Sequence, residues 1–139
     1  MAEPFPITIY HNPACGTSRN SLAMIEAAGC APVVVDYLAV GWTPGLLQDL
    51  CLAMGVSPKV LIREKGTPAV ELGLLEPGLS DEAVINAMIR HPILVNRPIV
   101  RTPLGTKLCR PSELALALLD RRPAAFTKED GEVVAIPPA

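Results

Sequence analysis

Apolar residues fall in short bursts along this chain, and most bursts are closed by proline or glycine. Ile7 to Tyr10 alternates β-branched and aromatic side chains, which predicts a first strand. A loop, His11 to Ala14, follows at once. Leu22, Ile25 and Ala28 then share one face of a helix predicted over about 17–28, which Gly29 stops. Val33-Val34-Val35 is a continuous apolar run between Pro32 and Asp36, the pattern of a strand buried on both faces. Thr43-Pro44 reads as an N-cap with proline at the first helical position, and Leu46, Leu47, Leu50 and Met54 recur at helical spacing up to Gly55. Ser57-Pro58 repeats the signal for a short helix towards Arg63. Residues 66–78 carry no period. Ser80-Asp81-Glu82 opens a helix with acids in its first turn, where they suit the dipole, and it ends near Arg90. Ile93-Leu94-Val95 reads as a strand that Arg97-Pro98 interrupts and Ile99-Val100-Arg101 resumes. Pro103 to Thr106 is a hairpin turn, with Lys107-Leu108-Cys109 as the return strand. Pro111-Ser112 caps a last helix through about Leu119.

The order is β-α-β, two or three helices, a β-hairpin and a final α. The first two strands are joined by a crossover and so run parallel, while the hairpin is antiparallel. The fold class is therefore α/β: a mixed four-stranded sheet flanked by helices on the thioredoxin-like plan, with a helical insertion in the middle. At 139 residues the chain is expected to form a single domain with its own core, with loose ends at 1–6 and 135–139. Half the residues are hydrophobic but only 4% are aromatic, so that core is aliphatic.

Charge narrows the function. A net charge of −2 argues against nucleic-acid binding driven by phosphate neutralisation, although it leaves room for a local basic pocket. No apolar run reaches the roughly 18 residues of a membrane span, and Met1 to Pro6 does not read as a secretion signal, so none is expected. The expected location is the cytoplasm, where the four cysteines (Cys15, Cys30, Cys51 and Cys109) stay reduced. With no C-x-x-C and no Cys/His pairs, a structural zinc site is not expected.

Cys15 is the candidate for chemistry. It stands in the turn between the first strand and the first helix, where free backbone N–H groups and the helix dipole favour thiolate over thiol. Gly16 permits close approach of an anion, and Thr17 and Ser18 add hydroxyls and further N–H donors, a cradle suited to an oxyanion. His11, four residues earlier, stabilises the thiolate if protonated and orders the loop if neutral. Ser18 stands where a dithiol motif would have its second cysteine, so a lone reactive thiol here needs an external thiol to reset it. The C-x5-R loop of tyrosine phosphatases is absent. Arg63, Arg97 and Arg110 sit at element ends, and arginine grips a tetrahedral oxyanion with paired hydrogen bonds. Pro98 lies within a strand-like run, where proline is tolerated at an edge or bulge, and a cis bond there would set the chain against the Cys15 turn.

Three stretches together resemble the glutaredoxin- and glutathione-dependent arsenate reductases: His11-Asn12-Pro13-Ala14-Cys15-Gly16-Thr17-Ser18-Arg19-Asn20, His91 to Val100, and Thr102 to Glu113. The Phe126 to Glu132 stretch is also similar, and the likeness runs from about Ile7 to Val134. The resemblance implies Cys15 as nucleophile, His11 as the histidine that helps keep it ionised, Arg63, Arg97 and Arg110 as arsenate ligands, and Pro98 at a cis-proline position. It implies no bound cofactor. Electrons would come from glutathione and glutaredoxin, and the protein is expected to act as a monomer. Cys30 and Cys51 read as structural, Arg101 as solvent-facing, and Cys109, beside Arg110, is placed to approach the site. The alternatives on the same fold are a thiol-based redox regulator or polymerase-binding protein, and a general glutathione-disulfide oxidoreductase that would not need three arginines.

Overall fold

The computed structural model describes residues 5–134. The ends expected to be loose, 1–4 and 135–139, lie outside the described residues, whereas Phe5 is packed against the core and does not belong to a loose end. The chain falls into two compact units, one built from Met1–Asp36 with Arg97–Ala139 and one from Tyr37–Asn96.

The first unit holds the mixed sheet. Strands β1 (Thr8–His11), β2 (Val33–Asp36), β3 (Ile99–Thr102) and β4 (Gly105–Leu108) lie in the order β2-β1-β3-β4. β1 is parallel to β2, with Ile9 opposite Val34, and antiparallel to β3, where Ile9 faces Val100. β3 and β4 form the hairpin. Helix α1 (Gly16–Ala27) provides the crossover, and a 3-10 helix over Ser112–Leu118 packs beside it. Ile7, Ile9, Met24, Ile25, Val100, Leu116 and Leu118 fill the space between sheet and helices, an aliphatic core. Buried polar groups there are satisfied: the Ser21 hydroxyl donates to the Ser112 carbonyl at 3.0 Å and the Thr102 hydroxyl to the Leu118 carbonyl at 2.6 Å.

β2 departs from its sequence pattern. It is an edge strand, and Val33 and Val34 are 63% and 46% exposed, so the apolar run is not buried on both faces. Three further differences are found. Ile93-Leu94-Val95 is not a strand, since Pro92 starts a 3-10 turn over Pro92–Leu94 and Val95 keeps one bridge, to Ile62. The last helix is 3-10 rather than α. Beyond it, Phe126–Thr127 (β5) and Val133–Val134 (β6) pair as a short ribbon that the polar composition had hidden.

The second unit is the helical insertion. It contains α2 (Tyr37–Val40), α3 (Pro44–Met54) and α4 (Asp81–Arg90), with a 3-10 turn over Pro58–Leu61. The capping signals at Thr43 and Ser80 act as read, whereas Ser57 starts its 3-10 turn without a side-chain cap bond. Thr43 Oγ1 accepts the Leu46 N–H at 3.2 Å and Ser80 Oγ the Ala83 N–H at 3.1 Å. Gly55 closes α3 in the left-handed region at φ 68°. Helix α2 carried no cap and went unread. It sets Tyr37 in the core of this unit, stacked on Trp42 at 4.9 Å, with its hydroxyl donating to the Val95 carbonyl at 3.1 Å. No helix among the described residues is long and apolar enough to cross a membrane.

Candidate active site

The turn that carries Cys15 is built by Asn12. Its backbone carbonyl accepts the Cys15 N–H at 3.0 Å, and its side-chain oxygen accepts the Ala14 N–H at 2.9 Å, an Asx turn with Pro13 at its bend. Asn12 is buried, so this turn is fixed against the end of β1. Cys15 is then left as the N-cap of α1 with extended backbone, and no side chain caps the helix. The free N–H groups of the first turn therefore converge on the position next to the sulfur. Sequence reasoning missed Asn12, although Asn-Pro straight after a strand is a turn signal.

Arginines complete the cradle. The Arg110 Nη1 lies 3.8 Å from Cys15 Sγ and donates to the Arg97 carbonyl at 2.8 Å. Arg97 itself is almost fully buried, with its guanidinium hydrogen-bonding the Cys15 sulfur. Both peptide bonds that follow these arginines, Arg97-Pro98 and Arg110-Pro111, are cis. Burial alone pushes the Cys15 thiol up. Hydrogen bonds from Arg97, from the Ser18 backbone and from Arg110, with the charge of Arg97, outweigh it and bring the thiol from 9.0 down to about 7.

His11 is held through Ser18. It ends β1 and is buried, and its Nδ1 is 2.5 Å from the Ser18 hydroxyl, which also accepts the Asn12 N–H at 3.1 Å. Burial lowers its pKa, Asp36 raises it and Arg19 lowers it further, so the net displacement is downward and the ring is neutral near pH 7. Of the two readings left open, ordering of the loop is the one with contacts. His11 thus holds Ser18, whose backbone N–H serves the thiolate.

The remaining candidates divide clearly. Ser18 is fully buried within the cradle, and Thr17 stands half-buried beside it on the first turn of α1. Gly16 is not demanded by the backbone, because a Cβ there would meet Arg19 Nη2 and Glu129 Oε1 at 3.7 Å, ordinary contact. Arg63 belongs to the second unit, where its Nε donates to the Lys65 carbonyl at 3.1 Å and its Nη1 to Asn96 Oδ1 at 3.3 Å. Cys109 does not line the cradle. It is part of the aliphatic core, and burial pushes its thiol up to about 12, so the approach to the site expected for it is not found. Arg101 is half-buried rather than solvent-facing. No cluster of metal-ligating side chains occurs among the described residues.

A second missed feature lies beside the nucleophile. Arg19, one helical turn after Cys15, grips Glu129 with two parallel bonds of 2.8 and 3.0 Å, and its Nη1 donates to the Pro13 carbonyl at 2.8 Å. The two partners are 110 positions apart in the chain, so no local pattern could reveal the pair.

Known proteins share this chain's sequence and architecture. The model of the ArsC family matches residues 10–118. An arsenate reductase of Rhizobium meliloti (strain 1021) is 56% identical over 129 residues, and one of Escherichia coli (strain K12) is 54% identical over the same length, each match covering 92% of both chains. Among solved structures, an arsenate reductase from Vibrio cholerae superposes with a TM-score of 0.79 at 36% identity, over 84% of this chain and all of that one.

Proposed function

Because this chain belongs to the ArsC family and is an arsenate reductase, we propose that the Cys15 thiolate attacks the arsenic of a bound arsenate and forms a covalent sulfur–arsenic adduct. The observation that carries this step is the thiol at about 7, at the head of a helix, with Arg110 at 3.8 Å. At neutral pH a large share of Cys15 is already the nucleophile.

The same donors that hold the thiolate suit the oxyanion. When sulfur bonds to arsenic its negative charge passes to the arsenate oxygens, and one oxygen leaves as water. Arg97, Arg110 and the N–H groups of Gly16, Thr17 and Ser18 then face that charge, an arrangement that stabilises it without reorganisation. The resemblance adds Arg63 to the arsenate ligands.

Cys15 has no partner thiol in its turn, so the electrons come from outside. Glutathione attacks the arsenic of the adduct and displaces a second oxygen as water. A glutaredoxin thiolate then takes the glutathione sulfur as a disulfide, the arsenic–sulfur electron pair stays on arsenic, and water releases arsenite from Cys15. In sum, arsenate and two thiols give arsenite, water and one mixed disulfide, and Cys15 returns as thiol. No metal or prosthetic group has a part in this scheme. The cytoplasm, whose thiols are kept reduced, is the setting it requires. A monomer suffices, because Cys15, Ser18, Arg97 and Arg110 all come from one chain.

The test is arsenite formation from arsenate by purified protein with glutathione and glutaredoxin. Turnover should need both thiol partners and vanish in Cys15→Ser. Arg97→Ala and Arg110→Ala should each lower kcat/KM for arsenate by roughly 10²–10³, as removal of an oxyanion donor does. Arg63→Ala should fall in the same range. Absence of arsenite from folded wild-type protein would sink the reaction and leave the redox-regulator reading in its place.

A further inference from the structure

Arg19 and Glu129 stand directly over Gly16, the residue after the nucleophile, since both reach within 3.7 Å of the place a Cβ would take there. The fork holds a carboxylate with two parallel bonds, yet both side chains are about half exposed, 44% and 49%. An ion pair so exposed contributes little to stability and exchanges readily for another carboxylate. Nor does releasing it free the ribbon. The Glu129 N–H remains bonded to Asn20 Oδ1 at 3.1 Å, and Lys128 Nζ remains on Glu113 at 2.8 Å. The Arg19 guanidinium also stays in place, because its Nη1 is held by the Pro13 carbonyl.

The co-substrate of the proposed reaction is a thiol peptide with carboxylates on both sides of its sulfur-bearing residue. We propose that Arg19 is the carboxylate-recognition residue for that thiol, and that Glu129 is an internal carboxylate occupying the fork until the peptide arrives. This deepens the glutathione reading and rests on it. Arg19 thereby acts on the thiol step and not on arsenate. The anchored fork gives the peptide a fixed point beside Cys15, so its sulfur is presented to the adduct rather than diffusing to it.

The test isolates this step from arsenate. Cys15 is converted to its mixed disulfide with neutral 2-thiopyridine in a Cys30→Ser background, because Cys30 is the more exposed thiol, whereas Cys51 and Cys109 are buried and have raised pKa values. An incoming thiolate attacks the Cys15 sulfur, a new disulfide forms, the old one breaks, and pyridine-2-thiol leaves. Its release is followed against the concentration of glutathione or of 2-mercaptoethanol, which has no carboxylate. Glu129→Gln should lower the glutathione concentration at half-saturation by a factor of about two to five, the effect of losing an exposed ionic competitor. Arg19→Gln should raise it about tenfold, the loss of a charge-assisted pair of bonds. Neither should alter the rate with 2-mercaptoethanol. If both thiols slow alike in Arg19→Gln, or if Glu129→Gln leaves the glutathione curve where it was, the fork is only a clamp for the ribbon and the proposal falls. The readout contains no arsenate, so failure of the arsenate assay and failure of this one are separate results.

Discussion

At the scale of single residues, the four cysteines show how place decides chemistry. Cys15 and Cys109 are both buried, but one lies under a helix N-terminus with two arginines and the other in an aliphatic core, and their thiols sit at about 7 and about 12. Alkylation of native protein should therefore label Cys15 with a midpoint near 7 and leave Cys109 untouched below pH 9. The midpoint should move up in Arg110→Ala. The linkage has a definite sign. A thiol pKa depressed on folding adds stability that is full above 9.0 and is lost as pH falls through about 7. His11 has the same sign by another route. Its pKa is lowered from 6.5, so the unfolded chain takes up the proton first and stability drops as pH falls below 6.5. In His11→Asn the urea midpoint should fall less between pH 7.5 and pH 5 than in the wild type. An equal fall would show that the ring is not buried neutral. The sequence made Cys15 legible because a strand-turn-helix reading is local. It left the role of His11 open, since the Ser18 contact that decides it requires the helix to fold back seven residues on.

At the scale of elements, what could be read is what is encoded by neighbours. Thr43, Gly55 and Ser80 cap their helices through bonds that span four residues or fewer, and the boundaries of α3 and α4 follow from them. Removing such a cap has a local cost. Thr43→Ala should lower stability by about 1 kcal/mol, and Gly55→Ala by about 1–2 kcal/mol because φ is left-handed there, both measured by urea denaturation. Equal midpoints in wild type and Gly55→Ala would mean that α3 ends differently. What could not be read depends on partners distant in sequence. The Val33-Val34-Val35 run looks central, yet strand order makes it an edge, and order is fixed by β1 pairing with β3 on its other side. Ile93-Leu94-Val95 has strand composition, but Pro92 sets up a turn, and the Leu61 to Arg63 segment takes its backbone bonds with Leu94 and Asn96. The β5–β6 ribbon is two residues a side. It is defined by the Gly131 turn at φ 92° and by its ties to Asn20 and Glu113, none of which leaves an alternating pattern.

At the scale of the whole molecule, composition and site pull in opposite directions. The chain carries 14 acidic against 12 basic side chains, a net charge of −2, yet its candidate substrate is an anion. Long-range attraction cannot then be the source of affinity, and the arginine contacts within a few ångströms of Cys15 must be. These two contributions respond differently to salt. The Debye length falls from about 30 Å at ~0.01 M to about 3 Å at ~1 M, so salt erases a distant, mildly repulsive field well before it weakens partly buried pairs. An enzyme that steers its substrate from afar loses kcat/KM steeply over that interval. This one should not. With potassium chloride as the only variable, kcat/KM for arsenate should stay within about threefold from ~0.01 M to ~0.3 M and decline only beyond, when screening reaches contact distances. The glutathione step should be the more salt-sensitive of the two, because its fork is half exposed while Arg97 is buried. A steep fall in the arsenate constant at low salt would mean that an extended positive surface gathers the anion, and the argument from Arg97 and Arg110 would have to give way to one from the charge distribution of the whole face.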